Sequence, residues 1–262
     1  MLKGKKIVLG VTGGIAVYKA VDLVSKLRKQ GAEVRVVMTE HAQQFVTPLT
    51  FKEISGNKVA VSMWNANQEF NVEHIALADW ADLFMVVPAT ANIIAKMAYG
   101  IADDLLSTTL LAAHSPVIVC PAMNTHMYEN PATQENIAQI KSRGIVVMPP
   151  ASGVLACGAV GAGRLPEPAD IVNFVKDFFA KTEGDMRGLK VLVTAAGTRE
   201  PIDPVRYVGN RSSGKMGYSI AQAAAERGAE VTLVTGPSAL TPPPNIKVIN
   251  VETTQQMMDA CL

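Results

Sequence analysis

KIVLGVTGGIAVYKAVDLVSKLRKQGAEVRVVM, residues 6–38, is the stretch of sequence that decides the fold. It opens with a short apolar, β-branched run from Lys6 to Val11, which predicts a buried strand. After Thr12-Gly13-Gly14, apolar residues recur at helical spacing from Ile15 to Gln30, and a second strand pattern covers Glu33 to Met38. The order strand, helix, strand predicts a βαβ unit, from which parallel sheets are built.

The same layout recurs late in the chain. A strand pattern at Lys190 to Thr194 leads to a helix near Gly217 to Arg227 and then to a strand at Glu230 to Thr235. Since a doubly wound sheet normally begins with such a unit, the recurrence predicts a second domain. We therefore expect a first domain over 1–181, a polar linker over 182–188, and the first part of a second domain over 189–262.

Three more apolar runs lie between the two units, at Leu83 to Val87, Val117 to Cys120 and Ile145 to Met148. Segments of helical length separate them, so the first domain is predicted to be a Rossmann-like, doubly wound parallel sheet with helices on both faces. In such sheets ligands bind beyond the carboxyl ends of the strands. The loops that follow the strands are therefore where functional residues are expected.

The composition limits the kinds of partner and compartment. Hydrophobic residues make up 48% of the 262 residues and the net charge is +1, which supplies a core but no basic excess for nucleic acid. The three cysteines are widely spaced, so neither a disulfide framework nor a metal site is predicted, and a reducing cytoplasm fits best. We expect no signal peptide and no membrane span.

The first strand-end loop, Thr12-Gly13-Gly14-Ile15, is a candidate anion site. Glycine lets the amides at a helix N-terminus approach a phosphate closely, although a tight turn without a ligand would use the same residues. The loop lacks the full G-x-G-x-x-G spacing, and the second strand ends in Thr39 instead of the acid that dinucleotide sites use.

The loop after the third strand, Pro88-Ala89-Thr90-Ala91-Asn92, offers a hydroxyl and an amide among small residues. Thr90 could equally be a helix N-cap and nothing more. Further on, the pair Asp103-Asp104 suggests a metal, but neighbouring carboxylates on a helix point in different directions, and a capping or solvated role is commoner.

The loop after the fourth strand, Pro121-Ala122-Met123-Asn124-Thr125-His126-Met127-Tyr128, has the most distinctive composition. Its amide, thioethers and aromatic ring could hold a carboxylate beside an apolar planar cofactor. Alternatively, the methionines fill gaps in the core and Asn124 caps the next turn.

Three further residues stand out. Cys157 and Arg164 flank a glycine-rich segment that is typical of a movable flap, where a thiol is exposed to reaction and a guanidinium suits a phosphate or carboxylate. His74 precedes an apolar helix and by itself would more often be a solvated first-turn histidine than a base.

Together these segments resemble the homo-oligomeric flavin-containing cysteine decarboxylases, and within that family the bifunctional decarboxylase–ligases of coenzyme A biosynthesis. Residues 121–128 are similar to the family's P-x-M-N-x-x-M-aromatic motif, and residues 156–164 are similar to its substrate clamp. The resemblance covers nearly all of 1–180 and continues through 198–206 and 210–217, which resemble the start of the ligase domain.

The resemblance implies an FMN cofactor and decarboxylation of phosphopantothenoylcysteine through oxidation of its cysteine moiety to a thioaldehyde, which acts as an electron sink. By motif match His74 is a base or proton relay, Asn124 orients the substrate carboxylate, and Cys157 donates a proton to the enethiol. Met127 and Arg164 are matched to substrate binding. The residues matched to FMN binding are Gly13, Gly14, Ile15, Thr39, Thr90 and Asn92.

For the second domain the resemblance implies ligation of phosphopantothenate and cysteine, using CTP and Mg²⁺. Asn210 matches a residue of the second ligation step, and Arg206 is matched to substrate binding. Because the sequence stops inside a predicted helix near Leu262, we expect the ligase domain to be truncated. The resemblance also implies a homo-oligomer with the flavin site between subunits.

Two other functions are compatible with parts of the sequence. The first βαβ unit would suit a nicotinamide-dependent oxidoreductase, against which the missing acid at the second strand end counts. A flavin-binding redox-sensing module, with Cys157 as a thiol switch, is the other alternative.

Overall fold

The computed structural model describes residues 2–64, 73–154, 158 and 160–262. They form two compact units, Leu2–Phe174 and Val175–Leu262, and the division falls inside a helix. Within those residues no helix is both long enough and apolar enough to cross a membrane.

Helices and strands alternate through the first unit, as the βαβ pattern predicts. In chain order they are β1 (Lys6–Val11), α1 (Val17–Lys29), β2 (Glu33–Met38), α2 (Glu40–Gln43), α3 (Pro48–Ser55), α4 (Glu73–Trp80), β3 (Leu83–Ala89), α5 (Ala91–Tyr99), α6 (Leu105–Ala112), β4 (Val117–Pro121), α7 (Thr125–Glu129), α8 (Pro131–Ser142), β5 (Val146–Val147), β6 (Ala151–Val154), β7 (Val160–Arg164) and α9 (Pro168–Glu183), in which the division falls.

The main sheet has five parallel strands in the order β2-β1-β3-β4-β5. From β1 the chain passes to β2 on one side and then to β3 on the other, so the winding reverses between β1 and β3. A crevice opens at such a switch point because the two connections leave in opposite directions. The predicted doubly wound sheet is confirmed. β6 and β7 form a separate antiparallel hairpin.

The sheet is covered on both faces. All residues of β3 are buried, as expected for a central parallel strand. Helix α6 comes so close to β1 that a Cβ on Gly10 would lie 2.4 Å from Cδ1 of Leu106. The frame that carries the strand-end loops is therefore tightly packed.

The second unit holds a smaller parallel sheet. Its elements are β8 (Lys190–Ala195), β9 (Arg199–Pro201), β10 (Tyr207–Gly209), α10 (Lys215–Glu226), β11 (Glu230–Thr235), β12 (Lys247–Asn250) and α11 (Thr254–Cys261). The parallel strands are ordered β12-β11-β8, and β9 pairs with β10 in a hairpin. Helix α10 packs on β8 so tightly that a Cβ on Gly217 would lie 2.6 Å from the Cβ of Ala195. The strands β8 and β11 with helix α10 between them match the βαβ unit predicted for the second domain.

Candidate functional site

A cavity of about 630 Å³ lies at the carboxyl ends of β1, β3 and β4, where the winding of the sheet reverses. Four segments line it: the β1–α1 loop with the start of α1, the end of β3 with the start of α5, the β4–α7 loop with α7, and the end of β7. Its lining residues are Gly13, Gly14, Ile15, Ala16, Tyr18, Lys19, Pro88, Thr90, Ala91, Ala122, Met123, Asn124, Met127, Gly163, Arg164 and Leu165. The sequence motifs of four separate loops thus meet in one place.

The β1–α1 loop is tied to the end of β3. The buried Thr12 hydroxyl donates to Pro88 O at 2.7 Å and accepts from Thr90 N at 3.1 Å. The two glycines of the loop differ in their surroundings. A Cβ on Gly13 would lie 2.5 Å from the Cβ of His41, whereas a Cβ on Gly14 would meet only Thr90 Cγ2, at 3.9 Å. Gly14 is therefore the glycine whose open side faces the cavity.

Thr90 and Asn124 both cap helices and line the cavity. Thr90 Oγ1 accepts from Ile93 N at the start of α5, and Asn124 Oδ1 accepts from His126 N at the start of α7. The capping alternative and the ligand-binding alternative are thus compatible at both positions. Met123 packs against buried side chains of the hydrophobic core, whereas Met127 is 51% exposed at the cavity.

The β6–β7 hairpin lies directly on the β4–α7 loop. Met123 N donates to Gly163 O at 3.0 Å. A Cβ on Gly163 would lie 2.3 Å from Met123 O, and a Cβ on Gly161 would lie 2.7 Å from Thr125 Cγ2. Glycine is required at 163 because the backbone of Met123 is so close, and at 161 because the Thr125 side chain is.

Charged groups gather at one edge of the cavity. Lys19 is only 7% exposed, and its Nζ donates to Leu165 O at 3.1 Å and to Glu167 Oε1 at 2.9 Å. Arg164 Nη2 donates to the same Glu167 oxygen at 2.7 Å. The hydrogen bond from Lys19 holds the pKa of the Glu167 carboxyl below its ordinary value, with a smaller contribution from Arg164. This edge therefore carries two cations and one carboxylate.

Several predicted site residues do not line the cavity. Thr39 accepts from Ala42 N as the N-cap of α2, Asn92 is exposed in the first turn of α5, and His74 is half-buried in α4. Cys157 lies outside the described residues. Their predicted roles stay predictions.

Asn210 and Arg206 belong to the second unit. Asn210 Oδ1 accepts from Ser212 N at 2.9 Å, and Arg206 Nε donates to Asp203 Oδ2 at 2.6 Å. Backbone and side-chain hydrogen bonds from Arg206 help lower the pKa of Asp203.

The adjacent carboxylates Asp103 and Asp104 both contact Lys96, at 2.5 and 2.9 Å. Asp104 also caps α6 by accepting from Ser107 N. The capping role favoured by the sequence is thus observed. Among the residues described here, no group of three or more His, Cys, Asp or Glu side chains is arranged to hold a metal ion.

Two charged residues of the cavity edge, Lys19 and Glu167, were not predicted. A signal for Lys19 exists in the sequence, since it lies four residues before Leu23 and eight before Leu27 on the apolar stripe of α1. A lysine on such a stripe is expected to be buried and paired. Glu167 has no comparable signal, because 148 residues separate it from Lys19.

Comparison with known proteins agrees with this geometry. Residues 1–180 match the Flavoprotein family, and residues 186–262 match the DNA/pantothenate metabolism flavoprotein C-terminal domain. The chain is 51% identical over 261 residues to the "Coenzyme A biosynthesis bifunctional protein CoaBC" of Vibrio vulnificus, covering 100% of this chain and 65% of that protein. The protein of the same name from Escherichia coli is 50% identical over 256 residues, covering 98% of this chain and 63% of the relative. The chain thus spans about two thirds of the length of these relatives.

Solved structures match about two thirds of the chain. A PPC decarboxylase variant solved with pantothenoylaminoethenethiol superposes with a TM-score of 0.60 at 32% identity, over 68% of this chain and 99% of that one. The FMN-binding protein AtHal3 superposes with a TM-score of 0.58 at 32% identity, over 68% and 97% of the two chains.

Proposed function

We propose that this chain, which belongs to the Flavoprotein family, binds FMN and decarboxylates phosphopantothenoylcysteine to phosphopantetheine. The observation that carries the proposal is the cavity at the β1/β3 switch point, where the four distinctive loops meet. It supports a large, partly planar ligand with an anionic end, since its walls are mostly apolar and one edge is cationic.

The lining residues fit FMN. Gly14 leaves the amides at the start of α1 open to a phosphate, and no side chain fills the space beside it. Small residues at Ala91 and Ala122 leave room for a ring system between the β3 and β4 ends. Gly13, Ile15 and Thr90 would complete the contacts, and Thr39 and Asn92 are proposed as more peripheral ones. FMN, when bound, supplies a two-electron acceptor for the substrate and returns the electrons after carbon dioxide has left.

The protein's own groups bind, orient and protonate the substrate. Asn124, with its side-chain N–H donors, would orient the substrate carboxylate, and Met127 would cover the apolar part of the substrate. Arg164 would bind an anionic group, because its guanidinium lies at the cavity edge. His74 is proposed as a proton relay, and Cys157 as the donor that protonates the product carbon.

The first test measures visible absorption of the purified protein and release of carbon dioxide from phosphopantothenoylcysteine. We expect a yellow protein that releases carbon dioxide, and an Asn124→Asp variant that keeps the flavin but loses decarboxylation, because its carboxylate would repel that of the substrate. Asn130→Asp is the matched control, since Asn130 also caps a helix but does not line the cavity. A colourless wild-type protein that binds a nicotinamide dinucleotide would instead favour the oxidoreductase alternative.

The second test separates decarboxylation from the later protonation. Cys157→Ser should still release carbon dioxide, while the oxidised enethiol accumulates, because a serine hydroxyl is far less acidic than a thiol. His74→Asn should block the reaction before carbon dioxide leaves. Mass spectrometry of single-turnover products distinguishes these outcomes. Formation of the saturated thiol by Cys157→Ser at the wild-type rate would remove Cys157 from the proposal.

We further propose that the active form is a homo-oligomer with the flavin site between subunits. Three apolar side chains of the cavity lining, Ile15, Tyr18 and Met127, are 61%, 60% and 51% exposed in the single chain. A neighbouring subunit would remove this apolar surface from water. Light scattering should give a mass several times 27.9 kDa, and a fully active monomer would contradict the proposal.

For the second unit we propose the first part of a CTP- and Mg²⁺-dependent ligase for phosphopantothenate and cysteine. The match of residues 186–262 supports this, and Asn210 and Arg206 are the residues to which roles are assigned. The location of the protein is proposed to be the cytoplasm. Ligation assayed with this chain alone and with a full-length relative would show how much of the activity these residues provide.

A further inference from the structure

Glu167 is placed between two cations of the cavity edge. One of its oxygens, Oε1, accepts from Lys19 Nζ at 2.9 Å and from Arg164 Nη2 at 2.7 Å. Both partners line the cavity, whereas Glu167 is not among the lining residues. The carboxylate therefore stands behind the cationic edge, where it can act on a ligand through its neighbours.

The position of Lys19 is electrostatically unfavourable without such a partner. It is the third residue of α1 and almost fully buried, and the N-terminal end of a helix carries partial positive charge. A buried ammonium must be paired, and Lys19 finds its acceptors in Leu165 O and Glu167. These two bonds hold residues 165–167, and so the C-terminal end of β7, against α1.

The ion pair between Arg164 and Glu167 affects the orientation of the Arg164 side chain more than the stability of the fold. The Arg164 side chain is 45% exposed and that of Glu167 is 53% exposed, and exposed pairs contribute little to folding. An arginine side chain with this exposure would otherwise sample many rotamers. Since Lys19 fixes Glu167, the carboxylate restricts Arg164 to orientations at the cavity edge.

We propose that Glu167 is a positioning residue that acts through Arg164, holding the guanidinium ready for an anionic group of the substrate. This inference rests on the proposed function only for the identity of the ligand. Lys19 is the anchor of the arrangement, since it connects Glu167 and Leu165 O to α1.

The experiment measures binding of phosphopantetheine to the holoenzyme by calorimetry, together with KM and kcat for phosphopantothenoylcysteine. Ordering a long side chain on binding weakens affinity, so Glu167→Ala should raise Kd and KM about three- to tenfold and leave kcat within about twofold. Glu167→Gln keeps an oxygen acceptor and should show a smaller rise. Glu135→Ala, at an exposed position of α8 away from the cavity lining, is the control.

Two outcomes would overturn the inference. If Glu167 acts only through its charge, removing it makes the edge more positive, and Glu167→Ala would bind the phosphorylated ligand more tightly. If Glu167 only supports the fold, the effect of Glu167→Ala would persist in an Arg164→Ala background, whereas the proposed coupling makes it vanish there. Because the Kd measurement needs no turnover, a wild-type protein that binds phosphopantetheine without releasing carbon dioxide would refute the proposed reaction and leave this test intact.

Discussion

Gly163→Ala is the substitution that tests most directly whether the hairpin must lie on the β4–α7 loop. Gly163 has φ +126°, and a Cβ there would lie 2.3 Å from the carbonyl oxygen of Met123. Both obstacles are in the backbone, so no side-chain rotation relieves them. The hydrogen bond from Met123 N to Gly163 O would break as the hairpin moves away from the β4–α7 loop.

The expected loss of folding stability comes from backbone strain at position 163 and from the broken hydrogen bond. Holding a non-glycine residue in this region costs about 1–3 kcal/mol. Loss of one backbone hydrogen bond adds about 0.5–1.5 kcal/mol. The total of roughly 2–4 kcal/mol is a large share of a typical stability of about 5–15 kcal/mol, so the variant should fold but with the hairpin displaced.

Thermal unfolding and steady-state decarboxylation measure the two consequences. We expect the melting temperature to fall by about 5–15 °C and kcat/KM to fall more than tenfold, since Arg164 moves with the hairpin. Gly144→Ala is the control, because Gly144 has φ +85° but no atom within 4 Å of a Cβ. Equal melting temperatures and kcat/KM values for the two variants would refute the close approach of Gly163 to Met123.

Three further predictions concern the flavin, a buried thiol and the loss of folding stability at low pH. Gly14→Asp should purify folded but colourless, because the new carboxylate enters the proposed phosphate site; normal flavin content by absorbance would exclude this loop from the site. Burial raises the pKa of the Cys120 thiol to about 12, so iodoacetamide should modify Cys120 only after unfolding, as peptide mass mapping would show, and rapid native labelling would contradict its burial. Burial raises the pKa of Asp104, but hydrogen bonds from Ser107 and Lys96 outweigh it and lower the pKa below its ordinary value. The ionised Asp104 carboxylate therefore stabilises the fold fully above about pH 4, and this contribution is lost as the pH falls through its pKa in the folded state. In acid titrations followed by circular dichroism, Asp104→Asn should lose less stability over this pH range than the wild type.

The main sheet and the edge at which its cavity lies could be predicted from the sequence because both depend on local patterns. The strand at Glu33–Met38 has the predicted bounds, and helix α1 begins at Val17, two residues after the predicted start. That difference arises because Gly14 to Ala16 form a turn, in which Val17 N donates a hydrogen bond to Gly14 O.

The hairpin and the charged edge could not be predicted. The segment Val160–Arg164 contains small residues without alternating apolar side chains, so no pattern marks it as a strand. Its structure depends on close contact with Met123, which is distant in sequence. The same holds for Glu167, whose partner Lys19 is supplied by another part of the fold.

The Thr12 hydroxyl bridges β1 and β3 at the point where the two strands part. Direct pairing of β1 with β3 ends at Gly10 and Val86, and beyond that point the peptide groups of the two strands no longer reach one another. By donating to Pro88 O and accepting from Thr90 N, a single hydroxyl does there what a peptide group does inside the sheet. Serine could replace it, whereas valine, of the same shape, would deprive the half-buried Thr90 N and the buried Pro88 O of this partner. Where the two strands part, one hydroxyl therefore satisfies a carbonyl and an amide that would otherwise lose their partner.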